Sequence, residues 1–158
     1  MKLKNIIQED FSNYKTCAMF IGFPSCTWKC ERDCGKKGLC QNAALAQSPT
    51  IDINVDDILD MYLGNPLSRA LVCGGLEPFD SWDSLFELVS KFREKTEDPI
   101  IIYTGYYRNE IDFKVVNLSV FKNIIVKFGR FVPDQESHYD EILGVSLASQ
   151  NQYAERIS

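Results

Sequence analysis

Short apolar runs alternate with helix-like segments along this chain. Four runs rich in branched and aromatic residues, each bounded by glycine, proline or polar residues, predict buried strands. They are Cys17–Ile21, Ala70–Cys73, Pro99–Tyr103 and Asn123–Phe128, and Gly144–Ala148 is a candidate fifth strand. Apolar residues at helical spacing predict helices at Gln41–Gln47, Val55–Leu63, Ser81–Phe92 and Asn109–Val116.

Alternating strands and helices predict an α/β fold with a mostly parallel sheet. In such a sheet the loops that follow the strands gather at one edge, where ligands usually bind. These loops are CTWKCERDCGKKGLCQN after the first strand, GGLEP after the second, YTGY after the third and GRF after the fourth. We therefore expect the four loops to form one site.

Length and composition fit one globular domain over residues 1–158. Hydrophobic residues make up 45% and charged residues 25%, which is ordinary for a domain with its own core. The formal net charge of −5 disfavours a nucleic-acid partner. The first residues turn acidic at Glu9 before a signal-peptide core develops, and no apolar run reaches membrane-spanning length. We expect a cytoplasmic protein that binds no membrane.

Four of the six cysteines lie within fifteen residues, at Cys26, Cys30, Cys34 and Cys40. Cytoplasmic thiols stay reduced, so this concentration favours a metal site over a disulfide framework. Soft thiolate ligands select zinc or iron–sulfur clusters. A structural zinc site usually presents close CxxC pairs, and this chain has none. An iron–sulfur cluster is therefore favoured, with zinc as the alternative.

Together and in this order, the motifs resemble those of radical S-adenosylmethionine (SAM) enzymes, most closely the activating proteins of anaerobic ribonucleotide reductase. Cys40-Gln41-Asn42 resembles the Cys-x-Asn at the end of that family's CxxxCxxC loop. GGLEP resembles its GGEP motif with Leu76 inserted. IYTGY and the late SQNQYAERI resemble its Thr-Gly-Tyr strand end and its Ser-Asn-Gln tail segment.

The resemblance implies a partial (βα) barrel of radical SAM type, with a [4Fe-4S] cluster in a loop over residues 24–42. Three thiolates would hold the cluster, and the iron without a protein ligand would bind SAM. Reductive cleavage of SAM would then give methionine and a 5′-deoxyadenosyl radical, which takes a hydrogen from a glycine of the reductase. A low-potential donor of the flavodoxin or ferredoxin type would supply the electron.

The resemblance also implies roles for residues of the glycine-rich and Thr-Gly loops. Gly74, Gly75 and Glu77 would lie near the methionine end of SAM. Tyr103, Thr104 and Gly105 would line the adenosine side. Paired glycines let the backbone approach a ligand closely, and a carboxylate can accept hydrogen bonds from an ammonium group.

The third cluster ligand is open between two cysteines. Cys26 and Cys30 match the family spacing, but the position of its third cysteine is occupied by Asp33. Cys34 lies one residue later, whereas nine residues separate Cys30 from Cys40. Cys40 is favoured because a helix is predicted directly after it, and the N-terminal dipole of a helix suits a negatively charged cluster. Cys34 would then lie in an inserted loop.

Two alternatives to a reductase-activating enzyme stay open at this point. One is a radical SAM enzyme that acts on another peptide or on a small molecule. The other is a non-catalytic zinc or iron–sulfur binding module, which coordination by all four cysteines would favour.

Overall fold

The computed structural model describes residues 1–158, and its central strands lie where the apolar runs predict them. The strands are β1 (Lys2–Leu3), β2 (Asn5–Asp10), β3 (Ala18–Phe23), β4 (Ile51–Asp52), β5 (Leu71–Gly75), β6 (Ile100–Tyr103), β7 (Ile124–Phe128), β8 (His138–Asp140), β9 (Val145–Leu147) and β10 (Tyr153–Arg156). The helices are α1 (Lys29–Cys34), α2 (Ala43–Gln47), α3 (Val55–Gly64), α4 (Trp82–Lys95) and α5 (Asp112–Leu118). Short 3₁₀ turns cover Pro78–Ser81 and Arg108–Glu110.

The central sheet has six strands in the order β10-β7-β6-β5-β3-β2. Strands β3, β5, β6 and β7 are parallel, while β2 and β10 pair antiparallel at the two edges. This arrangement confirms the mixed α/β class with a mostly parallel sheet. The outer strands do not pair with each other, so the sheet is open and not closed into a barrel.

Residues of each parallel strand alternate between two different packing layers. One set, including Ile21, Cys73 and Ile102, packs against α3, α4 and α5 in the larger core. The other set, including Val72 and Ile101, packs against Leu143 and Leu147 around the small β8–β9 hairpin. Helices therefore cover one face of the sheet, and a hairpin covers the other. No helix is both long and apolar enough to cross a bilayer.

Three segments differ from their prediction, and strands β1, β2, β4, β8 and β10 lie where the sequence predicts none. The run at Gly144–Ala148 is not a fifth strand of the sheet, because β9 within it pairs only with β8. The helix predicted to begin at Asn109 begins at Asp112, after a 3₁₀ turn. The cysteine-rich loop contains a helix, α1, which begins after a left-handed residue, Trp28 (φ 57°), and ends at left-handed Gly35 (φ 64°).

Candidate functional site

A cavity of about 400 Å³ lies where the loops after β3, β5, β6 and β7 meet. That volume is within the range of small-molecule sites. Its lining includes nine of the ten residues that the sequence singles out: Cys26, Cys30, Cys40, Gly74, Gly75, Glu77, Tyr103, Thr104 and Gly105. Cys34, the tenth, ends α1 and does not line the cavity. The structure thus gathers the predicted residues and separates Cys34 from them.

The cysteine segment begins beside the glycine-rich loop because backbone hydrogen bonds continue beyond the paired strands. The amide of Leu76 donates to the carbonyl of Phe23 at 3.2 Å, and the amide of Glu77 donates to Ser25 at 2.7 Å. These bonds carry the parallel register of β3 and β5 into the two loops. Cys26 is therefore held next to Gly75, and both line the cavity.

The glycines allow the close approach of the two strands at this point. Gly75 has φ 81°, and a Cβ there would lie 2.7 Å from the Cα of Gly22. A Cβ at Gly74 would lie 2.9 Å from the ring of Phe20, which lines the cavity. Gly75 is thus required by the sheet itself, since a side chain there would strain the backbone and collide with β3.

Three side-chain contacts shape the long segment between Cys30 and Cys40. Glu31 Oε1 accepts hydrogen bonds from the amides of Gly38 at 3.0 Å and Cys40 at 3.4 Å, which folds the segment back on itself. Asn42 then donates from Nδ2 to the carbonyl of Gly75 at 2.7 Å. These contacts bring the two ends of the segment between Cys30 and Cys40 together, so that Cys40 lines the cavity.

Asp33, at the position of the family's third cysteine, forms an ion pair instead. Its Oδ2 lies 2.8 Å from Nε of Arg130, a residue that is only 5% exposed. The same guanidinium donates to both carboxylate oxygens of Glu110, at 2.8 and 2.5 Å. Lys29 adds a 2.9 Å bond to Glu110 Oε1. Lys29, Asp33, Glu110 and Arg130 form a network, which we call the clamp, that joins α1 to the loops after β6 and β7.

The cysteine-bearing helix also contacts the loop after β7 through sulfur. The backbone amide of Phe131 donates to Cys30, while burial raises the pKa of that thiol. Burial likewise raises the pKa of Cys26 to about 11, against a hydrogen bond from the Trp28 amide that lowers it. Both thiols are therefore protonated at neutral pH without a metal, and they would have to lose these protons to bind a cluster.

Glu77 joins the glycine-rich loop to the Thr-Gly loop. Its Oε1 accepts from the hydroxyl of Thr104 at 2.8 Å and from the Phe79 amide at 3.1 Å, and its Oε2 accepts from the Gly105 amide at 2.9 Å. Burial raises the pKa of Glu77 to about 7 although these three donors favour ionisation. The side chain thus holds two walls of the cavity together while it borders the interior.

Lys127 is a cavity residue that the sequence reading missed. It lies in β7, is 6% exposed and donates from Nζ to the carbonyl of Gly129 at 2.9 Å. Burial lowers the pKa of Lys127 to about 8, while the nearby Glu77 carboxylate opposes that shift. A lysine inside the apolar run IIVKF was the available signal, since buried lysines are rare without a partner or a function.

The tail segment supports the same wall from outside the strands. Gln152 accepts from the amides of Ala148 and Ser149 through Oε1 and donates from Nε2 to the carbonyl of Gly129. Asn151 donates to the carbonyl of Arg130 at 2.8 Å. The SQNQ residues therefore fix the backbone that carries Arg130.

The family model described as "4Fe-4S single cluster domain" matches residues 15–153. The chain belongs to the 4Fe-4S single cluster domain family. Membership confirms the iron–sulfur cluster predicted from the cysteine spacing. No curated protein and no solved structure matches the chain significantly.

The donor set of this 4Fe-4S domain fits a cluster held by three thiolates. Cys26, Cys30 and Cys40 face one cavity, and a smaller pocket also touches Cys26 and Cys30. No three His, Cys, Asp or Glu side chains lie close enough to share a single ion.

Proposed function

We propose that this 4Fe-4S domain is a cytoplasmic radical SAM activating enzyme that generates a glycyl radical on an anaerobic ribonucleotide reductase. The observation that carries the proposal is the single cavity shared by three thiols, the Gly-Gly loop and the Thr-Gly loop. A [4Fe-4S] cluster with three protein ligands supplies, when bound, an open iron for SAM and the electron that cleaves it. The resemblance of the motifs to that class points to the same chemistry.

The charged groups of the cavity suit the methionine end of SAM. A free amino-acid group presents an ammonium and a carboxylate, and the cavity wall offers the Glu77 carboxylate and the Lys127 ammonium. Both side chains are buried, so their interactions with a ligand are weakly screened by water. Gly74 and Gly75 contribute only backbone to the cavity wall, which lets a ligand approach the end of the strand closely.

The affinity for SAM should rise with pH because of Glu77. Its pKa of about 7 means that the carboxyl is mostly neutral at pH 6 and mostly ionised at pH 8. Only the ionised form attracts the ammonium of SAM, which by itself would lower the dissociation constant about tenfold between those pH values. Because the pKa of Lys127 is about 8, half of its ammonium groups are neutral at pH 8, so the net fall should be about fivefold. Calorimetric titration of the reconstituted protein measures this change.

Glu77→Gln should bind SAM weakly and without that pH dependence. Glu97→Gln is the matched control, because Glu97 is exposed and pairs with Lys122 outside the cavity. An unchanged pH profile in Glu77→Gln would show that another group controls binding.

The proposed reaction is tested with the partner reductase. The reconstituted, reduced protein with SAM should produce a glycyl radical on an anaerobic ribonucleotide reductase, seen as an EPR doublet. SAM cleavage without that doublet, using the cognate reductase, would point to another peptide or a small molecule as the substrate.

A further inference from the structure

We propose that the outer side of the cysteine segment docks an acidic, low-potential electron-carrier protein. The docking residues are Arg32, Lys36 and Lys37, which we call the basic surface. This inference rests on the proposed function in one respect, since it assumes that the cluster must be reduced by a protein donor.

The charge of the cysteine segment is opposite to that of the remaining chain. Residues 26–42 contain four cations and two carboxylates, a net charge of +2. The whole chain carries −5, so all other residues together carry −7. A positive segment in an acidic protein creates a directional field, which attracts an anionic partner to one place and repels it elsewhere.

The carboxylates of the segment are engaged within the protein. Glu31 accepts from backbone amides of its own segment, and Asp33 pairs with Arg130. Lys29, the fourth cation, is likewise bound to Glu110. Both carboxylates of the segment therefore already have partners within the protein, although the Asp33 side chain is 55% exposed.

The three remaining cations are exposed and nearly free. Arg32 and Lys37 have no acidic partner within 4.0 Å, and Lys36 has only a 3.9 Å contact with the exposed Asp134. Surface contacts of that kind contribute little energy. The basic surface is thus available to carboxylates of another protein.

The basic surface lies on the segment that carries the thiols, but outside the cavity. None of its three residues lines the cavity, whereas Leu39, Cys40 and Asn42 of the same segment do. A carrier on the basic surface would face the cluster-binding segment directly and leave the cavity accessible to SAM. Electron delivery and substrate binding would therefore use different sides of one loop.

The test compares two triple variants of equal charge change in the reconstituted protein. One replaces Arg32, Lys36 and Lys37 with glutamate, and the control replaces Lys2, Lys95 and Lys122 with glutamate. Stopped-flow absorbance follows cluster reduction by reduced flavodoxin at low and high ionic strength. Photoreduced 5-deazariboflavin, a small neutral reductant, measures whether the cluster itself remains reducible. Chemical-shift titration with oxidised flavodoxin reports binding independently of activity.

The basic-surface variant should lose at least about tenfold in its rate of reduction by flavodoxin at low salt, and most of its salt dependence. Flavodoxin binding should weaken in parallel, while deazaflavin reduction stays unchanged. Equal losses in the two variants would show that only net charge matters and would overturn the proposal. Unchanged rates of reduction by flavodoxin in the basic-surface variant would also overturn it. Absence of SAM cleavage after deazaflavin reduction would instead count against the proposed function.

Discussion

Replacing Cys40 with alanine should abolish assembly of the SAM-cleaving cluster. Cys40 lines the cavity with Cys26 and Cys30, and its backbone amide is held by Glu31. Loss of a ligand should reduce cluster occupancy by more than the 10- to 100-fold typical for loss of a supporting contact. Iron and sulfide analysis after anaerobic reconstitution measures occupancy, and EPR of the reduced protein identifies the cluster.

Cys34→Ala is the matched control because it removes an equivalent thiol from the same segment. Cys34 lies at the end of α1 and outside the cavity, so its alanine variant should keep the cluster and the SAM-dependent change in its EPR spectrum. The reverse outcome would assign the third ligand to Cys34. Loss in both variants would favour four-thiolate coordination and would contradict an open iron for SAM.

Arg130→Met should destabilise the fold and release the cysteine-bearing helix. Removing the guanidinium leaves Glu110 with Lys29 as its one cationic partner and with the Tyr107 amide. It also leaves Asp33 without its ion pair. Only Arg130 is buried in this network, and the carboxylates left behind reach water, so the free energy of unfolding should fall by about 1–3 kcal/mol. Chemical denaturation of the reduced, cluster-free protein measures the loss, and reconstitution should also give less cluster.

Arg108→Met provides the comparison, because Arg108 also pairs with carboxylates but is much more exposed. Its loss should cost less than about 1 kcal/mol. Equal destabilisation by the two substitutions would show that the clamp has no special structural role.

The parallel strands could be predicted because both of their faces are buried, which produces continuous runs of branched apolar residues. The runs III in β6 and IIV in β7 are examples. The edge strands carry no such signal. NIIQED in β2 and YAER in β10 each expose polar residues, so pairing with a neighbour, and not local sequence, defines them.

The candidate site was predictable as far as it follows strand ends. Gly74, Gly75, Thr104 and Gly105 come directly after or at the end of apolar runs, so topology alone brings them together. The clamp could not be predicted in the same way. Arg130 pairs with Asp33 although 97 positions of the chain separate the two residues. None of the six residues of α1 is buried, so no apolar pattern in the local sequence predicts this helix.

The most direct measurement is the yield of 5′-deoxyadenosine and methionine from SAM after anaerobic reconstitution and reduction with deazaflavin. We expect both products in equal amounts from the unmodified protein and neither from Cys40→Ala. A fully reconstituted, reducible cluster that leaves SAM intact would contradict the proposed function and would identify the chain as an iron–sulfur module of another kind.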